Sequence, residues 1–258
     1  MRRRLLSVAC MACLVMAAYP AATIAASRTW TGSGDGVRWL DKNNWTPSDA
    51  SPQSGDNITI GSGAMVLITN TTPWLAGLVI TNATLTFSNW TTTLRATNVT
   101  IRNAGQFTLP PPFATNWMSN QVSVSCGDFT LDAGGSVNAD SKGYQRDHGP
   151  GRGEGSYSGV YVAGAAHGGH GGDALDKSGG SSYGSTNAPA RPGSGGATCW
   201  APNGWYGGHG GGVIRINASG TVTINGTLSS DGGASTHASG GGAGGSIWIS
   251  CATFGGNT

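Results

Sequence analysis

The sequence predicts an all-β protein: a parallel β-helix or β-solenoid that carries a long glycine-rich insertion. Three observations lead there. Short period-2 runs of β-branched and aromatic residues recur along the chain, with no sustained 3.6-residue apolar stripe. One strand-turn-strand unit returns at fixed offsets. The composition is wrong for helix, since glycine supplies 45 of 258 residues and charged residues only 10%, whereas helix formers include Glu, Lys and Arg and exclude Gly. A β-sandwich whose strands resemble one another by accident stays open as the alternative.

The chain opens with Arg2, Arg3 and Arg4, an apolar run over residues 5–19 and the small residues Ala25, Ala26 and Ser27. That is the pattern of a secretory signal peptide. Residues 1–26 are read as the signal, with cleavage after Ala26 favoured and after Ala25 the near alternative. The apolar run is too short for a membrane span and no later segment matches it. No membrane span is therefore expected in the mature chain, which is placed outside the cell or at its surface. Cys10 and Cys13 leave with the signal; Cys126, Cys199 and Cys251 remain, too few for a disulfide-stapled scaffold.

Residues 27–143 read as an N-terminal cap followed by solenoid rungs. The strands begin with Ile58-Thr59-Ile60, Val66-Leu67-Ile68, Leu78-Val79-Ile80, Thr84-Leu85-Thr86-Phe87 and Val99-Thr100-Ile101. Asn, Gly, Asp and Ser separate them and supply turn chemistry. Gln121-Val-Ser-Val-Ser-Cys126 matches Ser246-Ile-Trp-Ile-Ser-Cys251 at an offset of 125. A third copy runs through Ile214-Arg215-Ile216-Asn217-Ala218, with Ala218 in the cysteine position. Val222-Thr223-Ile224 then matches Phe129-Thr130-Leu131, and Thr227-Leu228-Ser229 matches Ser136-Val137-Asn138. Three short strands make one rung of roughly twenty residues, within the range of solenoid repeats.

Residues 144–212 form the glycine-rich insertion. The first 126 residues hold 8 glycines and the last 132 hold 37. A structureless loop of that length is unusual in a compact domain. Part of it is expected to pack on the solenoid flank, where glycine permits close backbone approach, with Tyr157, Tyr161, Tyr183, Trp200, Trp205 and Tyr206 as anchors. Residues 213–258 read as further rungs. They stop in mid-copy at Phe254-Gly255-Gly256-Asn257-Thr258, so the chain reads as a truncated piece of a longer protein with an open edge.

Trp30-Thr31-Gly32-Ser33-Gly34-Asp35-Gly36, then Trp39 and Asn43-Asn44-Trp45, resembles the opening motif of autotransporter-associated, passenger-like β-repeat proteins. Pro52, Gly55-Asp56 and Ile58-Thr59-Ile60 stand where that motif has its turn and first strand. Gly241-Gly242-Ala243-Gly244-Gly245-Ser246-Ile247-Trp248-Ile249 is similar to units of large secreted or surface β-solenoids of bacteria. The resemblance implies architecture more than activity.

The formal charge is +2, and without the three leading arginines it becomes 11 basic against 12 acidic residues. A nucleic-acid partner has no electrostatic support. His148, His167, His170, His209 and His237 all fall in the glycine-rich half, and His167, His170 and His209 are the candidates for a zinc or copper site. Their spacing matches no compact motif, so they read as polar spacers. Asp140 and Asp231 occupy equivalent rung exits and read as turn caps rather than calcium ligands. Asp128, Asp132, Asp140, Asp147 and Glu154 are the carboxylates available to a β-helix glycosidase or lyase. Cys126 and Cys251 are expected in the core about two rungs apart, roughly 9–10 Å, beyond disulfide reach.

The Asn-x-Ser/Thr triplets at Asn44, Asn57, Asn70, Asn82, Asn89, Asn98, Asn217 and Asn225 read as a by-product of Asn in turns and Thr in strands. Trp45, Trp74, Trp90 and Trp117 are candidates for stacking on sugar rings. No catalytic, cofactor-binding or metal residue is assigned and no cofactor is implied. The expected function is a non-catalytic structural or adhesive segment, with surface glycans or neighbouring solenoid copies as partners. A fragment of a carbohydrate-active enzyme and a glycan-binding module are the alternatives.

Overall fold

The computed structural model describes residues 25–115, 117–155, 161–199 and 205–256. All but the last two residues of the signal segment, and the anchors Tyr157 and Trp200, lie outside the described residues. The fold is all-β, and among the described residues the one helical element is a 3-10 turn at Lys42–Asn44. The strands are β1 Ser27–Trp30, β2 Trp45–Thr46, β3 Asn57–Ile60, β4 Met65–Ile68, β5 Leu75–Thr81, β6 Thr84–Phe87, β7 Leu94–Arg102 and β8 Gln106–Thr108. They continue as β9 Val122–Leu131, β10 Ser136–Asn138, β11 Val213–Ala218, β12 Thr221–Ile224, β13 Thr227–Ser229, β14 Ser246–Ser250 and β15 Thr253–Gly255.

From β3 to β10 the chain alternates between two sheets; β11 and β12 then both join the larger, β13 the smaller, and β14 and β15 the larger. The larger has the order β14-β11-β9-β7-β5-β3-β1-β2, with β12 joined to β9 and β15; the smaller has the order β13-β10-β8-β6-β4. Every strand pairing is parallel except that of β1 with β2. Residues aligned in the sequence copies are register partners: Cys126 with Ala218, Phe129 with Val222, and Val137 with Leu228. Ile58, Leu78, Val99, Phe129 and Val222 are successive partners in one file. Their spacing along the chain is 20, 21, 30 and 93 residues. The twenty-residue unit holds only for the first steps. Loops then enter between β8 and β9 and between β10 and β11 without disturbing the register.

Strand alternation builds the core. β3 reads exposed-buried-exposed-buried, and Ile58 and Ile60 point inward. The files Ile60-Ile80-Ile101-Leu131 and Val66-Leu85-Phe107-Val137 are likewise almost fully buried. Each such side chain contributes roughly 1.5–3 kcal/mol of transfer free energy. The corners between sheets reuse one device. Asn82 and Asn103 adopt positive φ, 44° and 48°, a conformation Asn tolerates well, and the amide of Asn82 donates to the carbonyl of Asn103 at 2.8 Å. At Gly135 a Cβ would come within 2.7 Å of the Ile101 carbonyl oxygen, so the corner requires glycine.

At the β1 end the tryptophan-rich opening motif closes the core. Trp30 and Trp39 each meet Trp45 edge-to-face with ring centroids 5.0 Å apart. Beside them Asn44 is fully buried. Its Oδ1 accepts from the amides of Gly34 and Gly36, and its Nδ2 donates to Asp35 and to the Arg38 carbonyl. At the other end burial falls away: Ile224, Leu228, Ile249 and Cys251 are only partly covered, and Phe254 is 62% exposed.

The glycine-rich stretch is a hydrogen-bonded bundle of its own, and it draws in residues 230–245. The segment 240–245 bonds to four neighbours. The amide of Ala165 donates to Gly241, Gly240 and Ala243 donate to Ala197 and Ser194, Gly208 and Gly211 donate to Gly240 and Ala243, and Gly242 and Gly245 donate to Gly233 and Ser230. A flat sheet offers only two neighbours. The bonding positions on this segment repeat every three residues, as they do for Gly193 and Gly196 against Gly211 and Gly208. Three residues per turn with every peptide group free to bond outward is the polyproline-II arrangement. Segments this close leave no room for a Cβ: at Gly208, Gly210 and Gly242 one would run into the carbonyl oxygens of Gly233, Gly193 and His209. A smaller apolar cluster of Val162, Ala197 and Cys199, with Trp205 against it, sits inside the bundle.

Candidate functional site

A half-open cleft of about 670 Å³ lies on the glycine bundle, bordered by His167, His170, Ser182, Tyr183, Thr186 and Gly244. Two bundle segments hold its centre together. The amide of Tyr183 donates to the His167 carbonyl at 2.8 Å, and the two rings lie 5.0 Å apart at 49°. Tyr183 Oη donates to the Pro192 carbonyl at 2.6 Å and accepts from Ser194 Oγ at 2.9 Å. Ser194 is fully buried and its Oγ also accepts from the Gly151 amide. His167 Nδ1–H donates to the Gly244 carbonyl at 3.0 Å.

Burial sets the electrostatics of this cleft. Desolvation pushes the His167 imidazole below its ordinary range, outweighing the hydrogen bonds to Gly244 and Gly245. Desolvation pushes the Tyr183 phenol up to about 12. Both groups are neutral near pH 7. The cleft offers hydroxyls, an imidazole and an aromatic ring, which suits an uncharged polyhydroxylated ligand.

The structure brings His167 and His170 to the same cleft and places the other histidines elsewhere. His209 is half-buried and its Nδ1 accepts from the Arg146 amide at 3.1 Å. His148 Nδ1–H donates to the Arg146 carbonyl. His237 stacks on Trp205 at 5.0 Å and 11°. Among the described residues no group of three or more His, Cys, Asp or Glu is arranged to hold a metal ion. His167 and His209 tie segments far apart in the chain, whereas His148 and His170 bond within two residues of themselves.

Several carboxylates tie together segments far apart in the chain rather than capping their own turns. Asp140 and Asp231 do come together: Asp140 Oδ1 accepts from the Asp231 amide at 2.6 Å, and its Oδ2 accepts from Asn138 and Ser229. Asp128 accepts from the Thr221 amide at 2.6 Å, Asp147 from the Thr198 amide at 2.7 Å and Glu154 from the Ser178 amide at 3.1 Å. Asp132 lies at the corner after β9. Cys126 and Cys251 are free, and desolvation followed by the nearby Asp128 charge pushes the Cys126 thiol up to about 12. Trp45 is buried in the core and is not available to a sugar; Trp74 and Trp117 are exposed, at 46% and 82%.

Two polar centres were not singled out from the sequence. One is Asn44 in the cap. The other is the buried pair Arg28 and Asp56, joined at 2.6 Å, with Asp49 on the outer side of the guanidinium at 2.6 Å. Burial opposes the charge on Asp56, but the Gln53 and Ala26 amides and Arg28 outweigh it and hold its carboxyl below the usual range. Of the cleft, His167 and His170 were singled out as metal candidates and Tyr183 as one aromatic anchor among several, but not their meeting at one place.

Residues 44–115, from β2 past β8, match the family described as G8 domain, an extracellular-type domain of unclear function. The match covers little more than a quarter of the chain and leaves out the glycine bundle. No curated protein and no solved structure matches the chain. Among the described residues no helix is long and apolar enough to cross a membrane.

Proposed function

We propose that the chain is a segment of a secreted or cell-surface β-solenoid, of the passenger-like kind its repeats resemble, with a non-catalytic structural or adhesive role. The observation that supports this reading is the in-register parallel ladder from β1 through β14, kept while the chain passes back and forth between two sheets. Sandwich sheets are built mainly from antiparallel strands. The G8-type match fits an extracellular module, and Asp128, Asp140, Asp147 and Glu154 are engaged by backbone amides of neighbouring segments. Ile247 on β14 and Phe254 on β15 are exposed.

The test is to produce the chain with its own leader, follow it to the exported fraction, and assay the purified protein on a polysaccharide panel. Export without polysaccharide cleavage is expected. Cleavage that disappears in Asp128→Asn or Glu154→Gln contradicts the reading and favours the carbohydrate-active enzyme. The cleft at His167 and Tyr183 favours a second reading, a glycan-binding module. Glycan-array binding that is lost in Tyr183→Ala but kept in Trp117→Ala supports it; an array without binding rejects it.

A further inference from the structure

The cluster around Asp56 points to the place where the leader is removed. Asp56 is 1% exposed and Arg28 4% exposed. Asp56 Oδ2 accepts from Arg28 Nε at 2.6 Å and from the Gln53 amide at 2.8 Å. Its Oδ1 accepts from the backbone nitrogen of Ala26 at 2.8 Å. Arg28 also donates to Asp49 at 2.6 Å and to the Pro47 and Ala50 carbonyls. Asp49 is 67% exposed and solvated, so Asp56 is the buried carboxylate of the cluster, and its Oδ1 is held by the Ala26 nitrogen. A buried carboxylate favours a full set of cationic and hydrogen-bonding partners.

We propose that the leader is cut after Ala25, so that the mature chain begins at Ala26 and its new α-ammonium is seated on Asp56 Oδ1. This rests on the export reading above. Two further observations agree. The Ala26 carbonyl accepts from the Asn57 amide at 2.8 Å, extending the β1–β3 ladder by one position, and a cut after Ala26 would forfeit both bonds. A leader peptidase selects small residues at the last and third-last positions. A cut after Ala25 presents Thr23 and Ala25, whereas a cut after Ala26 presents the bulkier Ile24. Asp56 thus becomes the receptor for a charge that exists only after processing, which strengthens a bond the Ala26 amide already makes.

The full chain is expressed with its own leader in a secreting bacterial host, and the exported protein is read by intact mass and N-terminal sequencing. In parallel, chains released from a cleavable fusion to begin at Ala26, at Nα-acetylated Ala26 and at Ser27 are compared by thermal unfolding. The expected results are an exported chain that begins at Ala26, and a Tm highest by several degrees for the free Ala26 chain. An exported chain beginning at Ser27 overturns the processing site but leaves export standing. A chain that keeps its leader and stays in the cell overturns both. Equal Tm values for free and acetylated Ala26 overturn the ammonium seat on Asp56.

Discussion

At the scale of single residues, stability rests on a few buried polar side chains whose bonds are complete. Asn44 serves four partners from inside the cap. Truncating it leaves buried donors and acceptors unpaired, at about 1–3 kcal/mol for such a group. Asn44→Ala is expected to lower the unfolding free energy by about 3 kcal/mol in urea titration; a change below about 0.5 kcal/mol would show that the cap does not depend on it. His209 supplies a pH dependence. Its Nδ1 must carry a lone pair to accept from the Arg146 amide. Burial first, and the Arg146 charge second, hold its imidazole below the ordinary value. A group depressed in the fold stabilises above its unfolded pKa of about 6.5 and loses that contribution as pH falls through the folded value. Tm should therefore drop as pH falls below about 6.5 more steeply in the native chain than in His209→Asn. Parallel profiles would remove His209 from the account. The core files were legible residue by residue, because period-2 alternation tells which side chain points inward. Asn44 and Asp56 stood in the opening motif, but their burial did not show there: Asn44 is wrapped by a loop 6–10 residues upstream, and Asp56 by Arg28 and Ala26 some thirty residues away.

At the scale of elements, the ladder and the bundle follow different rules. The ladder is specified by side chains, and its offsets could be read from repeated strings such as the copies ending in Cys126 and Cys251. The bundle is specified by the absence of side chains at contact points. Its three-residue period is spread over pieces of six to ten residues, too short and too often interrupted by Ser, Ala or His to stand out as a repeat. The stretch was therefore readable as a flank that packs closely, but not as segments bonded on four sides. The distinction can be tested glycine by glycine. At Gly210 a Cβ runs into the Gly193 carbonyl, whereas at Gly172 nothing lies within 4 Å. Gly210→Ala should cost about 3 kcal/mol, the upper end for overpacking, and raise amide exchange through residues 193–199 and 240–245. Gly172→Ala should leave both unchanged. Equal behaviour of the two variants would contradict a close-packed glycine bundle. Exchange confined to the bundle while β3 to β9 stay protected would mark the two parts as separate cooperative units.

At the scale of the whole molecule, one plan accounts for the parts. A tryptophan and asparagine cap closes the β1 end, parallel strands add one above another, and long insertions leave between strands without breaking the register. The insertions then fold together beside the ladder as a surface of backbone and small side chains, with the His167 and Tyr183 cleft on it. The proposed solenoid is the central claim, and distances along one file test it directly. Thr59, Val79, Thr100, Thr130 and Thr223 are successive register partners on β3, β5, β7, β9 and β12. Spin labels placed in pairs at positions 59 and 130, and at 59 and 223, are measured by pulsed dipolar spectroscopy. With strands about 4.8 Å apart, the account predicts backbone separations of about 14 Å and about 19 Å, lengthened alike by the label arms. A separation that fails to grow from the first pair to the second would contradict the stack.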